Sequence, residues 1–397
     1  MSESTTRLIH HSYAPPAGFD APQPGVFKAS TVFFPSVAAM RTRDWKQKQG
    51  YTYGLHGTPT SFMLEERLCE IEGGRYCLLV PSGLAAIANV ALALLRTGDE
   101  VLLPANAYGP NLALAEGELV QWGITHQLYD PLDAEDLARR IGPRTRLVWL
   151  EAAGSVSLEF PDLRAMVDVC RRAGVTTALD NTWGAGLAFA PFDTGVDISV
   201  HALTKYPSGG GDVLMGSVMT RDPALHARLQ GAHMRLGLGV GMNDVEAILR
   251  SLPSMSLRYR AQDMAARALA DWMARQPEVA QVLHPAREDA PGYRHWRALC
   301  APDGGDGLAA GLFSIILDAR YTQAQVDRFC DALRLFRLGY SWGGPISLVV
   351  PYDLASMRGG WPSHLQRGTL VRFSLGLEAV ADLQSDVAQA LQTLGEP

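Results

Sequence analysis

From residue 60 onward, short apolar runs and amphipathic stretches take turns along the chain. "FMLEERLCEIEGG" (62–74) carries apolar residues at helical spacing and stops on glycines, which predicts a helix with a glycine end. "YCLLV" (76–80) is a short unbroken apolar run, the mark of a buried strand, and "PSG" then opens a helix over 82–95. Strands are predicted at 100–104, 124–129, 146–151 and 175–180, and helices around 110–118, over 133–141 and over 162–173. "VDISVHAL" (196–203) and "DVLMGSVMT" (212–220) add two strands. Short β-rich runs between longer helices predict an α/β fold with a mainly parallel, doubly wound sheet.

The pattern changes near residue 222. The chain turns helical to about 275, then mixes helices with strands such as "GLFSIILD" (311–318) and "TLVRFSLG" (369–376). A chain of 397 residues is long enough for two cores. The expected division is an N-terminal extended segment over 1–60, a large domain over 61–255 and a smaller C-terminal α+β domain over 256–397.

Composition narrows the function classes. A formal net charge of −6 argues against nucleic acid as the main partner, because phosphate backbones need a basic face. The five cysteines are scattered and form no C-x-x-C pair, so reduced thiols in a cytoplasmic protein are expected, with neither a disulfide framework nor a metal site. The first twenty residues have no apolar h-region, so no secretory leader is expected. The longest apolar helical run, 84–95, is too short to span a bilayer, and no membrane partner is expected.

Four features fall where such sheets bind ligands, beyond the carboxyl ends of the strands. "PSGLAAI" places a glycine, Gly83, at a strand-to-helix turn, where free N–H groups and the helix dipole favour a phosphate. Tyr108 in "NAYGP" follows a strand. Asp180 closes the strand of "ALDNTW". Lys205 closes that of "HALTKY", preceded by Thr204, whose hydroxyl suits the same phosphate. Singly, each has a bland reading: a turn, a helix cap, a solvated amine, a packing aromatic. Together they describe a pyridoxal phosphate pocket. That cofactor needs a lysine amine of lowered pKa, a carboxylate on its ring nitrogen, an aromatic face and phosphate donors.

Over most of its length the chain resembles the Cys/Met-metabolism enzymes of the fold-type I pyridoxal phosphate proteins. "EIEGG", "LDNTW", "LTKY", "YSWGG" and "GTLVRFSLGLE" stand in that family's order, and "SWGG" (341–344) looks most like bacterial cystathionine β-lyases. The resemblance implies a large cofactor domain and a small C-terminal domain. It implies Lys205 as the Schiff-base lysine and proton shuttle, Asp180 at the ring nitrogen, Tyr108 stacked on the ring, and Gly83, Leu84 and Thr204 at the phosphate. Arg372 would clamp the substrate carboxylate, a task suited to a planar guanidinium. Ser341 and Trp342 would line the substrate side. Tyr53 would reach into a neighbouring subunit's pocket, within a homotetramer built as a dimer of dimers.

The chain departs from the family in several places. Leu55 replaces an arginine common there, leaving two readings: His56 substitutes for it, or the cofactor is held more weakly. Ala202, Ala153, Pro345 and Ile346 also differ, on the phosphate periphery and the substrate wall. The expected activity is cleavage of L-cystathionine at the Cβ–S bond. The alternatives are another cysteine S-conjugate, γ-elimination or γ-replacement, and a binding or regulatory protein without turnover.

Overall fold

The strands and helices of the alternating region fold as one layered unit in the computed structural model, which describes residues 4–9, 21–46, 48 and 50–395. Its seven strands are β1 (Tyr76–Val80), β2 (Glu100–Pro104), β3 (Thr125–Tyr129), β4 (Thr145–Glu151), β5 (Thr176–Asp180), β6 (Ile198–His201) and β7 (Gly216–Thr220). They lie in the order β1-β7-β6-β5-β4-β2-β3. Neighbours from β6 to β3 are parallel, while β7 runs antiparallel to both β1 and β6. The reason lies in the connection. A parallel return needs a crossover, usually a helix, and residues 202–215 form turns instead. Those turns carry Lys205.

Both faces of the sheet are covered. On β4, Val148 and Leu150 belong to one core while Leu147 and Trp149 belong to the other, the alternation that a pleated strand imposes. The flanking helices start and stop where their sequences direct. Thr58 forms a capping box ahead of Pro59–Glu72, and Gly73 ends that helix in the left-handed region. Ser82 caps Gly83–Leu94 by accepting from the Ala85 N–H.

A second sheet contains β8 (Val279–Leu283), β9 (Leu312–Asp318), β10 (Arg337–Leu338), β11 (Leu348–Tyr352) and β12 (Gly368–Ser374), in the order β10-β11-β12-β9-β8. The helix Met242–Met273 joins the two halves without a break, and the expected division at residue 255 falls inside it. Its Val245, Ile248, Leu252 and Tyr259 pack in the first core, whereas Ala266, Leu269 and Met273 pack under the second sheet.

The expected extended segment over 1–60 lies partly outside the described residues. Within them, Ser4–Ile9 and Val37–Arg41 are short helices, Leu8 is buried, and residues 21–35 form no regular element beyond the bridge of Thr31 to Tyr53. Among the described residues no helix is long and apolar enough to cross a membrane, and no cluster of His, Cys, Asp and Glu could hold a metal ion.

Candidate active site

The carboxyl ends of β4 and β5 place two acids side by side. Glu151 and Asp180 are register partners on adjacent parallel strands. Asp180 accepts from the Thr182 N–H at 3.0 Å and the Thr182 hydroxyl at 2.5 Å. Burial pushes its pKa up, while the Thr182 bonds and the nearby His201 pull the other way. Glu151 accepts from the Tyr108 N–H at 2.6 Å, and burial, then the Asp180 carboxylate, push its pKa well up. The backbone of Tyr108 is thereby tied to the end of β4, within electrostatic reach of Asp180. Its phenol pKa is raised by burial and by both carboxylates.

Behind Asp180 lies a buried polar knot. Glu72 accepts from Ser199 at 2.6 Å and Asn181 at 3.4 Å and pairs with His201 Nδ1 at 2.6 Å. Glu72, Asn181, Ser199 and His201 are all buried. These hydrogen bonds tie the ends of β5 and β6 to the end of the helix Pro59–Glu72, since a buried polar group left unpaired would be expensive.

Lys205 leaves the turn after β6 and meets the second half of the chain. Its Nζ donates to Ser341 Oγ at 2.7 Å and lies 5.4 Å from the Trp342 ring centroid. Burial, then the positive charge of Arg372, hold its pKa down to about 8, with Asp180 opposing them. This contact needs a close backbone approach. Gly343 has φ +79°, and a Cβ there would sit 3.1 Å from the Lys205 carbonyl carbon, so glycine alone fits at that position without displacement. Trp342 is fixed in turn against Tyr206, 5.4 Å away, whose hydroxyl accepts from the Gly311 N–H.

Arg372 projects from β12. Its Nη2 donates to the Ser341 carbonyl at 3.3 Å, and its buried Nε has no hydrogen-bond partner among the described residues. An orphaned buried donor is rare in native structures and asks for an acceptor.

Other expected residues sit differently. Gly83 and Leu84 begin the helix capped by Ser82, where N–H groups are free for an anion. A Cβ on Gly83 would come 2.7 Å from Ala202 Cβ. The hydroxyl of Thr204 is already engaged with the backbone of Met215, donating to its carbonyl at 3.3 Å and accepting from its N–H at 3.2 Å. Tyr53 is 46% exposed, with its ring edge-on to His56. His56 bonds Thr52 at 2.6 Å, and burial, Arg43 and His233 lower its pKa. That favours a neutral imidazole, a poor replacement for the arginine absent at Leu55.

Three contributors escaped the sequence reading. Glu151 obeys the strand-end rule that found Asp180. Thr182 lies two residues beyond Asp180, and its hydroxyl also accepts from the Ala202 N–H at 2.9 Å. Tyr352, at the end of β11, lies with its ring centroid 5.4 Å from the Arg372 guanidinium carbon.

The lysine, the paired acids and the open arginine fit the description of one family, Cys/Met metabolism PLP-dependent enzymes, which matches residues 5–392. The chain belongs to it. A putative cystathionine β-lyase of Rhizobium johnstonii is 38% identical, covering 96% of this chain and 94% of its own length. The cystathionine β-lyase of Salmonella typhimurium is 34% identical, covering 91% of each. Among solved structures, cystathionine γ-synthase from Xanthomonas oryzae pv. oryzae matches with a TM-score of 0.88 and 27% identity, covering 99% of both chains. The fold is therefore that of the fold-type I enzymes, and the cofactor is pyridoxal phosphate. The site fits that cofactor in its donor chemistry, with an amine of lowered pKa, a strand-end carboxylate and a helix N-terminus whose glycine leaves no room for a side chain.

Proposed function

We propose that this chain is a carbon–sulfur β-lyase that cleaves L-cystathionine. With one water, the products are homocysteine, pyruvate and ammonia, and the bond broken is the substrate's Cβ–S bond. The observation that carries this reading is the contact of Lys205 with the Ser341–Trp342 segment, which joins the reactive amine to the part of the sequence most like β-lyases. The relatives named cystathionine β-lyase support it.

Pyridoxal phosphate supplies an electron sink for negative charge developing at the substrate α-carbon. Lys205 would hold it, and its neutral amine would take the α-proton; a positioned base of this kind contributes ~10²–10⁴-fold. Asp180 would keep the ring nitrogen protonated, with Thr182 fixing the carboxylate. Tyr108 would lie on the ring, and the N–H groups of Gly83 and Leu84 would hold the phosphate. Thr204, bonded to Met215, would support the turn and contribute little to the phosphate. Arg372 would receive the α-carboxylate on its open Nε, beside Ser341 and Trp342. We also propose a homotetramer in which Tyr53 enters a neighbouring subunit's site; its half exposure and the 93% exposure of Phe33 on the same segment support this.

The test is product identity. Protein loaded with pyridoxal phosphate and given L-cystathionine should release pyruvate and homocysteine. Release of 2-oxobutyrate and cysteine, or no keto acid at all, would overturn the assignment. The γ-outcome is the second reading, supported by the γ-synthase structure and by Ile346, which is apolar and 55% exposed on the substrate wall.

A further inference from the structure

Arg372 is 8% exposed, yet the groups that bear on its charge are tyrosines, Tyr352 and Tyr340, with no carboxylate among them. A buried guanidinium without an acid is expensive unless something else stabilises it. The register of the second sheet supplies that something. Val350 pairs with Arg372 across β11 and β12, and side chains two apart share a face. Tyr352 therefore falls diagonally beside Arg372, and the guanidinium carbon lies 5.4 Å from its ring centroid, within the range of a cation–π contact.

The choice of an aromatic partner has a chemical consequence. A carboxylate would bind the N–H groups in the plane of the guanidinium and compete with any incoming acid. A ring stabilises the same charge from its face; here the Tyr352 hydroxyl also bears on the guanidinium and Nη2 is bonded to the Ser341 carbonyl, yet Nε is left unpartnered. Tyr352 also bears electrostatically on Tyr108, so its influence reaches both Arg372 and the residue expected over the cofactor ring.

We propose that Tyr352 is a positioning residue for the substrate: its ring holds the Arg372 guanidinium flat with the Nε edge open to an α-carboxylate. This rests on the reading of Arg372 as the carboxylate clamp, and the test separates the two. The probe is propionate, a monocarboxylate with no amine to react, titrated calorimetrically into the cofactor-loaded protein. Steady-state kinetics with L-cystathionine accompany it. Tyr352→Leu should weaken propionate and raise KM by about 5- to 30-fold, as expected for loss of a largely desolvated cation–π contact, while kcat falls less than about threefold. Tyr352→Phe, which keeps the ring, should recover most of the affinity. Tyr352→Met, unbranched and better able to fill the vacated space, replaces the leucine variant if that one melts early. Unchanged binding in Tyr352→Leu, with Arg372→Leu strongly impaired, would overturn the role of Tyr352 alone. Equal loss in the Leu and Phe variants would assign the effect to the hydroxyl and overturn the stacking role. Unchanged propionate binding in Arg372→Leu would overturn the clamp itself.

Discussion

Arg358 and Glu159 form an ion pair between the two halves of the chain, with Nη2 3.5 Å from Oε2 and both side chains buried. Arg358 follows β11, the strand that ends in Tyr352, and Glu159 closes the loop after β4. Glu159 also accepts from Asn106 at 3.0 Å and Ser157 at 2.7 Å and pairs with His364 at 3.1 Å. Asn106 sits two residues before Tyr108. One carboxylate thus ties the Tyr108 loop to the segment between β11 and β12, the strand that carries Arg372.

That carboxylate should govern acid stability. Burial works against its charge, but the His364, Arg358, Asn106 and Ser157 contacts win and bring its pKa from 4.5 down to about 2. A folded-state pKa below the unfolded one gives stability that is present in full above about pH 4.5 and is lost as pH falls towards 2. The term is of the order of 3 kcal/mol. Glu159→Gln should lower stability by about that much at pH 7 and flatten the acid limb, which urea melts at several pH values would read. An acid limb identical to that of the unaltered protein would remove Glu159 from this role.

Lys205 carries a prediction about reactivity. Its amine is nucleophilic only when neutral, and its pKa of about 8 comes from burial first and Arg372 second. Uptake of pyridoxal phosphate by cofactor-free protein, followed by absorbance, should accelerate through about pH 8 and then level off. In Arg372→Leu the midpoint should move up, because one of its two causes is gone. A rate still climbing near pH 10 would mean that the amine is an ordinary exposed lysine. Lys205→Ala should abolish turnover.

The residues that local pattern made legible share one property: strand ends mark them. Asp180 ends β5 and Lys205 lies in the turns just past β6, so local pattern marks both, whereas Arg372 lies inside β12 and was singled out by the family resemblance. Glu151 obeyed the same strand-end rule and was passed over, since the end of "RLVWLE" has no glycine or second polar group beside the acid to draw notice. Tyr352 was not legible. Its contact with Arg372 depends on the register of β11 against β12, which no local pattern encodes. The same holds for Arg358 and Glu159, whose pairing exists only once both halves have folded. The antiparallel β7 was hidden too, because the glycine-rich turns after Lys205 read equally well as a loop leading to a parallel strand.

Gly83 should tolerate no side chain. A Cβ there would lie 2.7 Å from Ala202 Cβ and 3.3 Å from its Cα, too close without moving backbone. Gly83→Ala should destabilise the fold by about 1–3 kcal/mol and weaken cofactor binding at least about tenfold, since the displaced N–H groups are those proposed to hold the phosphate. Thermal melts and equilibrium titration with pyridoxal phosphate measure the two effects separately. Wild-type affinity in a stable variant would show that the phosphate lies elsewhere.

Thr182 should prove the most informative small substitution. Its hydroxyl donates to Asp180 at 2.5 Å and accepts from the Ala202 N–H at 2.9 Å, so it couples the acid at the end of β5 to the turn that carries Lys205. Thr182→Val keeps the shape and removes both bonds. The Ala202 N–H loses its partner, a loss of about 1–3 kcal/mol if it stays unpaired, and Asp180 loses a contact that lowers its pKa. The variant should therefore melt earlier, and its kcat should fall more than its KM rises, because a neutral Asp180 cannot keep the ring nitrogen protonated. The loss should be greatest at low pH and should ease as pH rises and Asp180 ionises. Thr182→Ser, which restores the hydroxyl, should recover most of the activity. If the valine variant showed a kcat loss independent of pH, with no recovery in serine, the hydroxyl would be a packing feature and the control of Asp180 would have to come from Glu72 and His201.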